Sequence, residues 1–487
     1  EVPMPRLLSI GKDRNCKAQI NERSLKKYFS AAVSPSLIGR WAKIVGLKQR
    51  KSRFNPVSFI TAIIVQAGSQ AKFTITSICA RYAALSGQSM EVKPFHNKIK
   101  RPAVTELTGM LLKHYADLLS AKFVKSKQGS LLLNTLREHG LAVDDIEAID
   151  GSYWHVNNKL AAIFPGARTA AKGEELRDTY DETGKLVRKT PENAQIGMQT
   201  VFSLVSGMFK TVTFTAGSTD ERAFVSADKK HPVLKIMDAG YVSYALLELM
   251  HKSGSYFMLR GKCNMTGKIT ACFLKGKTLT DFIGKDLKEP LTRAYRPHDI
   301  LDMDVTLNNG LQVRVLRVWS NNKGTVSYLI TNVPRQCFPA QYAVLIQKLR
   351  WSVEILFKCL KSGVNLRGVN TSYLTIVYTM VQACLIAAII KYLIYLYLDE
   401  KQQYYISMYK VFVNCDTWWD GVCVNLFKLN IRILKHNLLL IRNLANQYRK
   451  SQTSKQRAEE FKSFEAVIKF LAKAAIKTTI EAVFLYA

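Results

Sequence analysis

Residues 146–156 read Ile-Glu-Ala-Ile-Asp-Gly-Ser-Tyr-Trp-His-Val, a short apolar run that leads into the pair Asp150-Gly151. A second run, at 233–241, reads Val-Leu-Lys-Ile-Met-Asp-Ala-Gly-Tyr and places Asp238 at the corresponding point. Short apolar runs of this kind are typical of strands buried on both faces of a sheet. Because an unpaired carboxylate inside a core is costly, we expect each aspartate to lie at a strand tip. The pattern predicts an α/β fold with two acidic strand ends.

A third segment, at 349–361, reads Leu-Arg-Trp-Ser-Val-Glu-Ile-Leu-Phe-Lys-Cys-Leu-Lys and has helical spacing. In a helix, Arg350, Glu354, Lys358 and Lys361 share one stripe, while the apolar residues face the other side. For an isolated helix, a solvated charged face is the commoner explanation. The two acidic strand ends favour a different explanation. In it, the helix packs against the strands and brings the Glu354 carboxylate close to those of Asp150 and Asp238.

Together the three segments predict a metal centre built from Asp150, Asp238 and Glu354. Carboxylate oxygens are the ligands that suit Mg²⁺ or Mn²⁺ beside phosphate. A pair of such ions stabilises the attacking and leaving oxygens in phosphodiester chemistry. We therefore expect two Mg²⁺ (or Mn²⁺) ions per active site.

In these motifs the chain resembles the DDE transposases of the IS4 family. That family has an Asp-Gly motif, an Asp-x-Gly-Tyr or Asp-x-Gly-Phe motif, and the signature Tyr-x2-Arg-x3-Glu-x6-Lys. Arg350, Glu354 and Lys361 match the last three signature positions, whereas Gln347 stands in place of the tyrosine. Glutamine can still donate a hydrogen bond to a phosphate. The resemblance covers about residues 146–395.

The resemblance implies a ribonuclease H-like catalytic core with a β insertion domain, flanked by N-terminal and C-terminal helical domains. The sequence pattern agrees, with helical spacing at first, short β-like runs after residue 140, and an Asn-Asn-Gly hairpin turn at 308–310. The expected divisions are 1–140, helical and binding transposon ends; 141–260, the first part of the core; 261–335, the β-rich insertion; 336–398, the second part of the core with the Glu354 helix; and 399–487, a helical domain for dimerisation or DNA contact.

Several basic, amide and aromatic residues are candidates for DNA contact, and each has a plainer alternative. Basic residues can be ordinary surface charges, tryptophans usually lie in cores, and a polar helix can simply be solvated. The resemblance favours DNA contact for Arg350, Lys361 and Gln347 at the signature positions and for the basic pair Arg260 and Lys262. It also favours the aromatic residues Trp351 and Trp319, which would hold a flipped base, and His96, Asn97, Lys98 and Arg101 in a predicted helix-turn-helix. Lys358, on the same stripe of the helix as Arg350 and Lys361, is a further candidate.

The composition points to a polyanionic partner. Lys and Arg number 70 against 37 Asp and Glu, a formal net charge of +33, and the basic residues are spread along the chain. An extended positive surface of this kind suits duplex DNA better than it suits a polybasic anchor. The nine cysteines include no Cys-x2-Cys pair, which indicates buried thiols in a reducing compartment rather than zinc ligands or disulfides.

One segment, 374–390, is almost wholly apolar and approaches the length of a membrane span. Polar residues such as Thr375, Gln382 and Lys391 interrupt or follow it, and the sequence has no second span. We therefore expect a buried core helix, no membrane partner, and a bacterial cytoplasmic protein that associates with the nucleoid when bound to DNA. Since the chain begins at Glu1, a few native residues are expected to be missing or processed.

The function expected from these features is cut-and-paste DNA transposition. The enzyme would nick the inverted-repeat ends of a transposon, and the resemblance implies that the freed 3′-OH forms a hairpin, which is reopened before the ends join target DNA. Two subunits would bridge two ends, so we expect a homodimer on double-stranded DNA. Two alternatives stay open: a catalytically silent DNA-binding protein derived from a transposase, and a ribonuclease H-like nuclease without strand transfer.

Overall fold

The structure, a computed structural model of the 487-residue chain, describes residues 35–48, 53–122, 133–134, 136–166, 179–180, 182–184, 186–188, 193–205, 208–227, 232–262, 265–287, 300–319, 326–340, 350–401, 406–428 and 430–449.

Helices form the N-terminal part of the described chain, as the sequence pattern predicts. They are α1 (Pro35–Ile44), α2 (Pro56–Gly68), α3 (Ile75–Ser86), α4 (Val92–Ile99) and α5 (Pro102–Lys122). Helix α2 begins where the Asn55 side chain accepts hydrogen bonds from two backbone N–H groups of the first turn. Helix α3 ends at Gly87, whose φ of +69° is the left-handed cap that only glycine adopts without strain.

One ten-stranded sheet dominates the described residues, and a two-stranded sheet, β2 (Thr179–Tyr180) with β3 (Leu186–Arg188), lies outside it. The large sheet has the order β5-β4-β1-β6-β7-β12-β11-β10-β8-β9. Its strands are β1 (Asp145–His155), β4 (Gln195–Ser203), β5 (Met208–Ala216), β6 (Val233–Met237), β7 (Tyr256–Arg260), β8 (Gly267–Leu274), β9 (Lys277–Thr278), β10 (Ile300–Leu307), β11 (Gln312–Trp319) and β12 (Val326–Thr331).

The first half of this sheet has the topology that positions the site. Strands β1, β4 and β5 run antiparallel in sequence order, and β6 then returns on the other side of β1 and pairs with it in parallel. Helix α6 (Tyr244–Lys252) connects β6 to β7. Strand β7 pairs in parallel with β6. This mixed α/β arrangement is consistent with the expected ribonuclease H-like core.

The strands of the expected insertion extend the same sheet instead of forming a separate one. Strand β12 pairs antiparallel with β7, opposing Ile330 to Leu259. The hairpin between β10 and β11 turns at Gly310, with φ of +82°, as the Asn-Asn-Gly pattern predicts. Within this half, Arg314 donates two hydrogen bonds of 2.8 Å to the buried carboxylate of Asp302. The sequence Asn321-Asn322-Lys323-Gly324 also predicts a turn, but it lies outside the described residues.

The remaining helices are α7 (Trp351–Gly363), α8 (Leu374–Lys401), α9 (Met408–Val413), α10 (Trp419–Phe427) and α11 (Ile431–Asn443). The ammonium of Lys391, in α8, is fully buried and donates hydrogen bonds to the carbonyls of Gly68 (2.6 Å), Gly363 (2.7 Å) and Phe412 (2.8 Å). These carbonyls lie at or near the C-terminal ends of α2, α7 and α9, where the helix dipole favours a cation. One lysine thereby joins the N-terminal helices, the signature helix and the C-terminal helices.

Helix α8 contains the apolar segment that the sequence singles out. The stretch Leu374–Leu398 is the one helix among the described residues that is long and apolar enough to cross a membrane. Most of its apolar window is nevertheless buried within the protein, where it contacts α5, α2 and α9. Its polar members have partners there, since Thr108 donates to the amide oxygen of Gln382. The prediction of a buried core helix is therefore confirmed.

Candidate active site

Strand register brings Asp150 and Asp238 to the same level of the sheet. Strands β1 and β6 pair through Ala148 and Ile236, and Asp150 and Asp238 each lie two residues further along the chain. Asp238 directly follows the end of β6 at Met237, as predicted. The prediction of a strand tip is wrong for Asp150, because β1 continues to His155 and pairs Asp150 with Thr200 of β4. The carboxyl ends of parallel strands in an α/β sheet are common positions for ligand-binding residues. Both acids lie next to the carboxyl end of β6.

Helix α7 supplies the third carboxylate from one face of the sheet. Along β1, Ala148 packs into the same core as Leu356 and Phe357 of α7, whereas Ile149 packs into the core on the opposite face. Because side chains alternate along a strand, the Asp150 side chain projects toward α7. Glu354 lies in the first turn of that helix. The three acids predicted from sequence therefore meet at one edge of the sheet.

The guanidinium of Arg350 contacts all three carboxylates. Its Nη2 lies 2.5 Å from Oε1 of Glu354 and 3.9 Å from Oδ1 of Asp238, and its Nη1 lies 3.4 Å from Oδ2 of Asp150. The Arg350 side chain is 11% exposed, against 17% for Asp150, 35% for Glu354 and 43% for Asp238, so the cation is the most buried member of the cluster. Its Nε has no hydrogen-bond partner within the described chain. A single cation thus neutralises part of a three-carboxylate cluster.

This donor set suits a divalent metal ion. As the side chains stand, no three acid, His or Cys groups among the described residues are close enough to share one ion. In this arrangement the Arg350 guanidinium is the cation that contacts the three carboxylates. A cation already fills the centre of the cluster, and every ligand atom around it is a carboxylate oxygen, which is the chemistry that Mg²⁺ and Mn²⁺ prefer.

Burial raises the pKa of Asp150 to about 7, and the nearby Glu221 and Glu354 carboxylates push it in the same direction. The Arg350 charge and the Gly151 backbone N–H, which donates a 3.0 Å hydrogen bond to Asp150, oppose this rise. A carboxylate that resists ionisation on its own gains most from a bound cation. The cluster is short of positive charge even with Arg350 in place.

Two residues near the acids were missed as site residues in the sequence. Glu221 opens a short 3₁₀ helix (Glu221–Phe224) after β5, and Tyr241 closes another (Ala239–Tyr241) after β6. The Glu221 carboxylate raises the pKa of Asp150, and the Glu221 and Asp150 carboxylates both raise the pKa of the Tyr241 hydroxyl. The acidic pair Asp220-Glu221, shortly before the Asp238 strand, was the available signal. Nothing in a linear sequence shows that the chain after β5 reaches β1, from which β4 separates β5.

The two lysines predicted on α7, Lys358 and Lys361, lie in different surroundings. The Lys361 ammonium lies 5.9 Å from the ring centroid of Tyr153, and burial together with Arg367 lowers its pKa, while Asp150 opposes that shift. Lys361 is therefore close to the acids. Lys358 is exposed and its ammonium lies 4.3 Å from the ring centroid of Tyr409, on α9.

The basic pair and the two tryptophans give a partial picture. Arg260 and Lys262 are exposed at the end of β7, where the Lys262 ammonium donates to the Val242 carbonyl at 3.3 Å. The backbone of Trp319 ends β11 and that of Trp351 begins α7, but their side chains lie outside the described part. Gln347 lies wholly outside it.

The predicted recognition residues of the N-terminal region lie on or just after α4. Asn97 and Arg101 are exposed, and His96 and Lys98 are half-buried. Three of them have partners within the chain. The His96 ring packs edge-on against Tyr373 at 5.1 Å, the Lys98 ammonium lies 4.1 Å from the Phe54 ring, and Arg101 donates to the Gly46 carbonyl.

Comparison with known proteins agrees with this geometry. The family model of the transposase DDE domain matches residues 144–390, slightly more than half of the chain. The transposase for insertion sequence element IS231B of Bacillus thuringiensis subsp. berliner is 22% identical over 368 residues, which cover 68% of this chain and 71% of that protein. The transposase for insertion sequence element IS1151 of Clostridium perfringens is 20% identical over 459 residues, covering 82% and 88%. The chain belongs to the DDE transposases, and with its IS231 relatives to the IS4 family.

Proposed function

We propose that this transposase binds the inverted-repeat ends of its element, cleaves them by two-metal hydrolysis at Asp150, Asp238 and Glu354, and joins the 3′-OH ends to target DNA. The observation that carries the proposal is the convergence of these carboxylates on Arg350 at an open end of the sheet. Carboxylates brought together from two strands and a helix, at a net cost in repulsion, are typical of a centre that binds cations.

The residues of the site have distinct tasks in this reaction. Asp150, Asp238 and Glu354 would hold two Mg²⁺ ions, which supply an activated water and stabilise the charge on the leaving oxygen. Arg350 and Lys361 would bind phosphate oxygens of the DNA strand, because both cations lie beside the acids on one helix. To bind phosphate, Arg350 would have to leave the carboxylates. Bound metal ions would then take its place as the positive charge beside them. Gln347 would add a hydrogen bond to phosphate.

The rest of the chain would serve the DNA on either side of the site. We assign residues 1–140 to transposon-end binding, 141–260 and 336–398 to the catalytic core, 261–335 to the β-rich insertion, and 399–487 to dimerisation or DNA contact. Arg260 and Lys262 would lie near the cleaved phosphate, and Trp319 and Trp351 would hold a flipped base if cleavage passes through a hairpin. A homodimer would bridge two ends in the cytoplasm, at the nucleoid.

One assay separates this function from its alternatives. The purified protein is incubated with Mg²⁺, a duplex that carries the element's end and a target plasmid, and the products are resolved on denaturing gels. Nicked ends together with joined products support transposition, and a covalently closed end fragment supports the hairpin route. Nicks without joining would support a nuclease, and binding without any cleavage would support a catalytically silent DNA-binding protein.

A further inference from the structure

Glu221 approaches the active site from the face of the sheet opposite to α7. A Cβ built on Gly151 would lie 2.4 Å from both the Glu221 carboxyl carbon and its Oε1. Side chains at Gly151 and Ile149 point to the same face, which is the one that packs against Tyr241 and Val225. Glycine at position 151 is therefore what lets the Glu221 carboxylate close on the β1 backbone, one residue from Asp150.

The charges show which side chains Glu221 faces. Burial raises its pKa, and the Asp220 and Asp238 carboxylates raise it further, while the Tyr241 hydroxyl acts in the opposite direction. In return, Glu221 is one of the groups that raise the pKa of Asp150. Four carboxylates therefore lie close together here, with Asp150 and Glu354 on the face of α7 and Glu221 on the opposite face.

A buried oxygen atom beside this cluster lacks a partner. Gln199 is 6% exposed, and its Oε1, which would lie 2.6 Å from a Cβ on Gly151, has no hydrogen bond within the described chain. Tyr241 is 2% exposed, and its hydroxyl interacts with the Glu221 carboxylate. Buried polar atoms are rarely left without a partner unless a water or an ion completes them.

We propose that Glu221 is a fourth carboxylate of the metal centre, which binds the divalent ion held by Asp150 and Asp238, directly or through one of that ion's waters. A hydrated ion in this place provides the positive charge that the four carboxylates lack. Its waters provide the hydrogen-bond donor that the Gln199 amide oxygen lacks. The inference rests on the proposed function, because it presumes the ion at the three acids.

Metal binding by the DNA-free protein tests the proposal without any assay of activity. Mn²⁺ is titrated into the full-length protein, and the free ion is followed by electron paramagnetic resonance. Glu221→Gln should weaken Mn²⁺ binding by about 10-fold to 100-fold, as loss of a group that orients a metal centre usually does. The matched control is Glu248→Gln, on the same face of the sheet, where the exposed carboxylate pairs with Lys252 at 2.6 Å. It should bind Mn²⁺ like the parent protein.

The same titration on Asp150→Asn separates the two levels of the argument. If Asp150→Asn loses Mn²⁺ while Glu221→Gln binds it as the parent does, the role given to Glu221 is wrong and the three-acid site stands. If the parent protein and Asp150→Asn bind Mn²⁺ equally, or neither binds it, the metal centre itself is wrong. Thermal unfolding accompanies each titration, and Glu221→Ala replaces Glu221→Gln should the latter not fold, with the same result expected.

Discussion

The Nη1 of Arg350 lies 3.4 Å from the Oδ2 of Asp150, a contact between residues 200 positions apart in the chain. The same guanidinium reaches Glu354, one helical turn further along α7. Arg350 therefore joins the signature helix to the central strand, and in doing so it takes the place that a metal ion needs. The phosphate contact that we propose for Arg350 would require the guanidinium to leave the acids, so it cannot fill both roles at once.

Replacement of Arg350 should accordingly have opposite effects on metal binding and on cleavage. Arg350→Ala removes a cation that competes for the carboxylates, so we expect Mn²⁺ affinity of the DNA-free protein to rise about tenfold. Cleavage of end DNA should fall by about 10²-fold to 10³-fold, because a phosphate contact is lost. Titration and single-turnover cleavage measure the two effects. Arg137→Ala, an exposed arginine that pairs with Asp144, is the control; weaker metal binding in Arg350→Ala would contradict the competition.

Glu354→Gln should abolish cleavage and leave end binding largely intact. The change removes one metal-binding charge but keeps the size of the side chain, so cleavage should fall by at least about 10³-fold. Binding measured by gel shift without divalent ions should change less than about twofold, since binding and cleavage depend on different residues. The exposed Glu138 gives the control Glu138→Gln. Loss of both activities would show that Glu354 supports the fold instead.

A buried ion cluster at the start of β1 should govern acid stability. The Glu147 carboxylate lies 2.8 Å from the Lys235 ammonium and 2.5 Å from that of Lys210. These two lysines outweigh burial and lower the pKa of Glu147 below its ordinary value of 4.5. The ionised carboxylate therefore stabilises the fold fully above about pH 4.5, and this stabilisation is lost as the pH falls through the lowered pKa.

Glu147→Gln should reduce the free energy of unfolding at pH 7 by about 3 to 5 kcal/mol, because the buried Lys235 loses its counter-charge. It should also reduce the loss of stability on acidification, since Glu147 no longer takes up a proton. Urea unfolding followed at pH 7 and at successively lower pH measures both effects. If the free energy of unfolding of the variant falls with decreasing pH as steeply as that of the parent, Glu147 is not the source of that pH dependence.

Lys391→Met should destabilise the protein, although methionine fits a buried helix well. The substitution leaves the carbonyls of Gly68, Gly363 and Phe412 without their donor, and each such loss costs about 1 to 3 kcal/mol in a dry interior. Burial lowers the pKa of Lys391, because a charged ammonium is costly in the interior. Removal of that charge therefore offsets part of the cost. We expect a net loss of about 3 kcal/mol in urea unfolding. The exposed Lys113 supplies the control, Lys113→Met, and equal stability of the two variants would contradict the role of Lys391.

Asn97 should contribute to recognition of the element's end. It is exposed on α4, where His96, Lys98 and Arg101 already have partners within the chain. If Asn97 reads a base edge, Asn97→Ala should weaken binding to end DNA by about 1 to 3 kcal/mol and leave binding to unrelated DNA unchanged. Lys93→Ala, on the same helix, should weaken both equally, as loss of a phosphate contact does. Fluorescence anisotropy at fixed salt distinguishes these patterns.

The sequence by itself predicted which three acids lie together and which elements carry them. Apolar runs that end in Asp150 and Asp238, and a helix with Arg350 and Glu354 one turn apart, are local patterns that depend only on neighbours in the chain. The same holds for the glycine that ends α3 and for the hairpin turn at Gly310. Local backbone conformation depends mainly on consecutive residues, so it can be predicted from the sequence alone.

Only the tertiary structure decided which charges share a space. Nothing near Glu221 in the sequence shows that its carboxylate closes on Gly151, and nothing near Lys391 shows that it joins the ends of three helices. The extension of the core sheet by β12 was equally hidden. Contacts of this kind depend on strand order and helix packing, which the whole chain settles at once, whereas each residue type alone is compatible with an ordinary surface position.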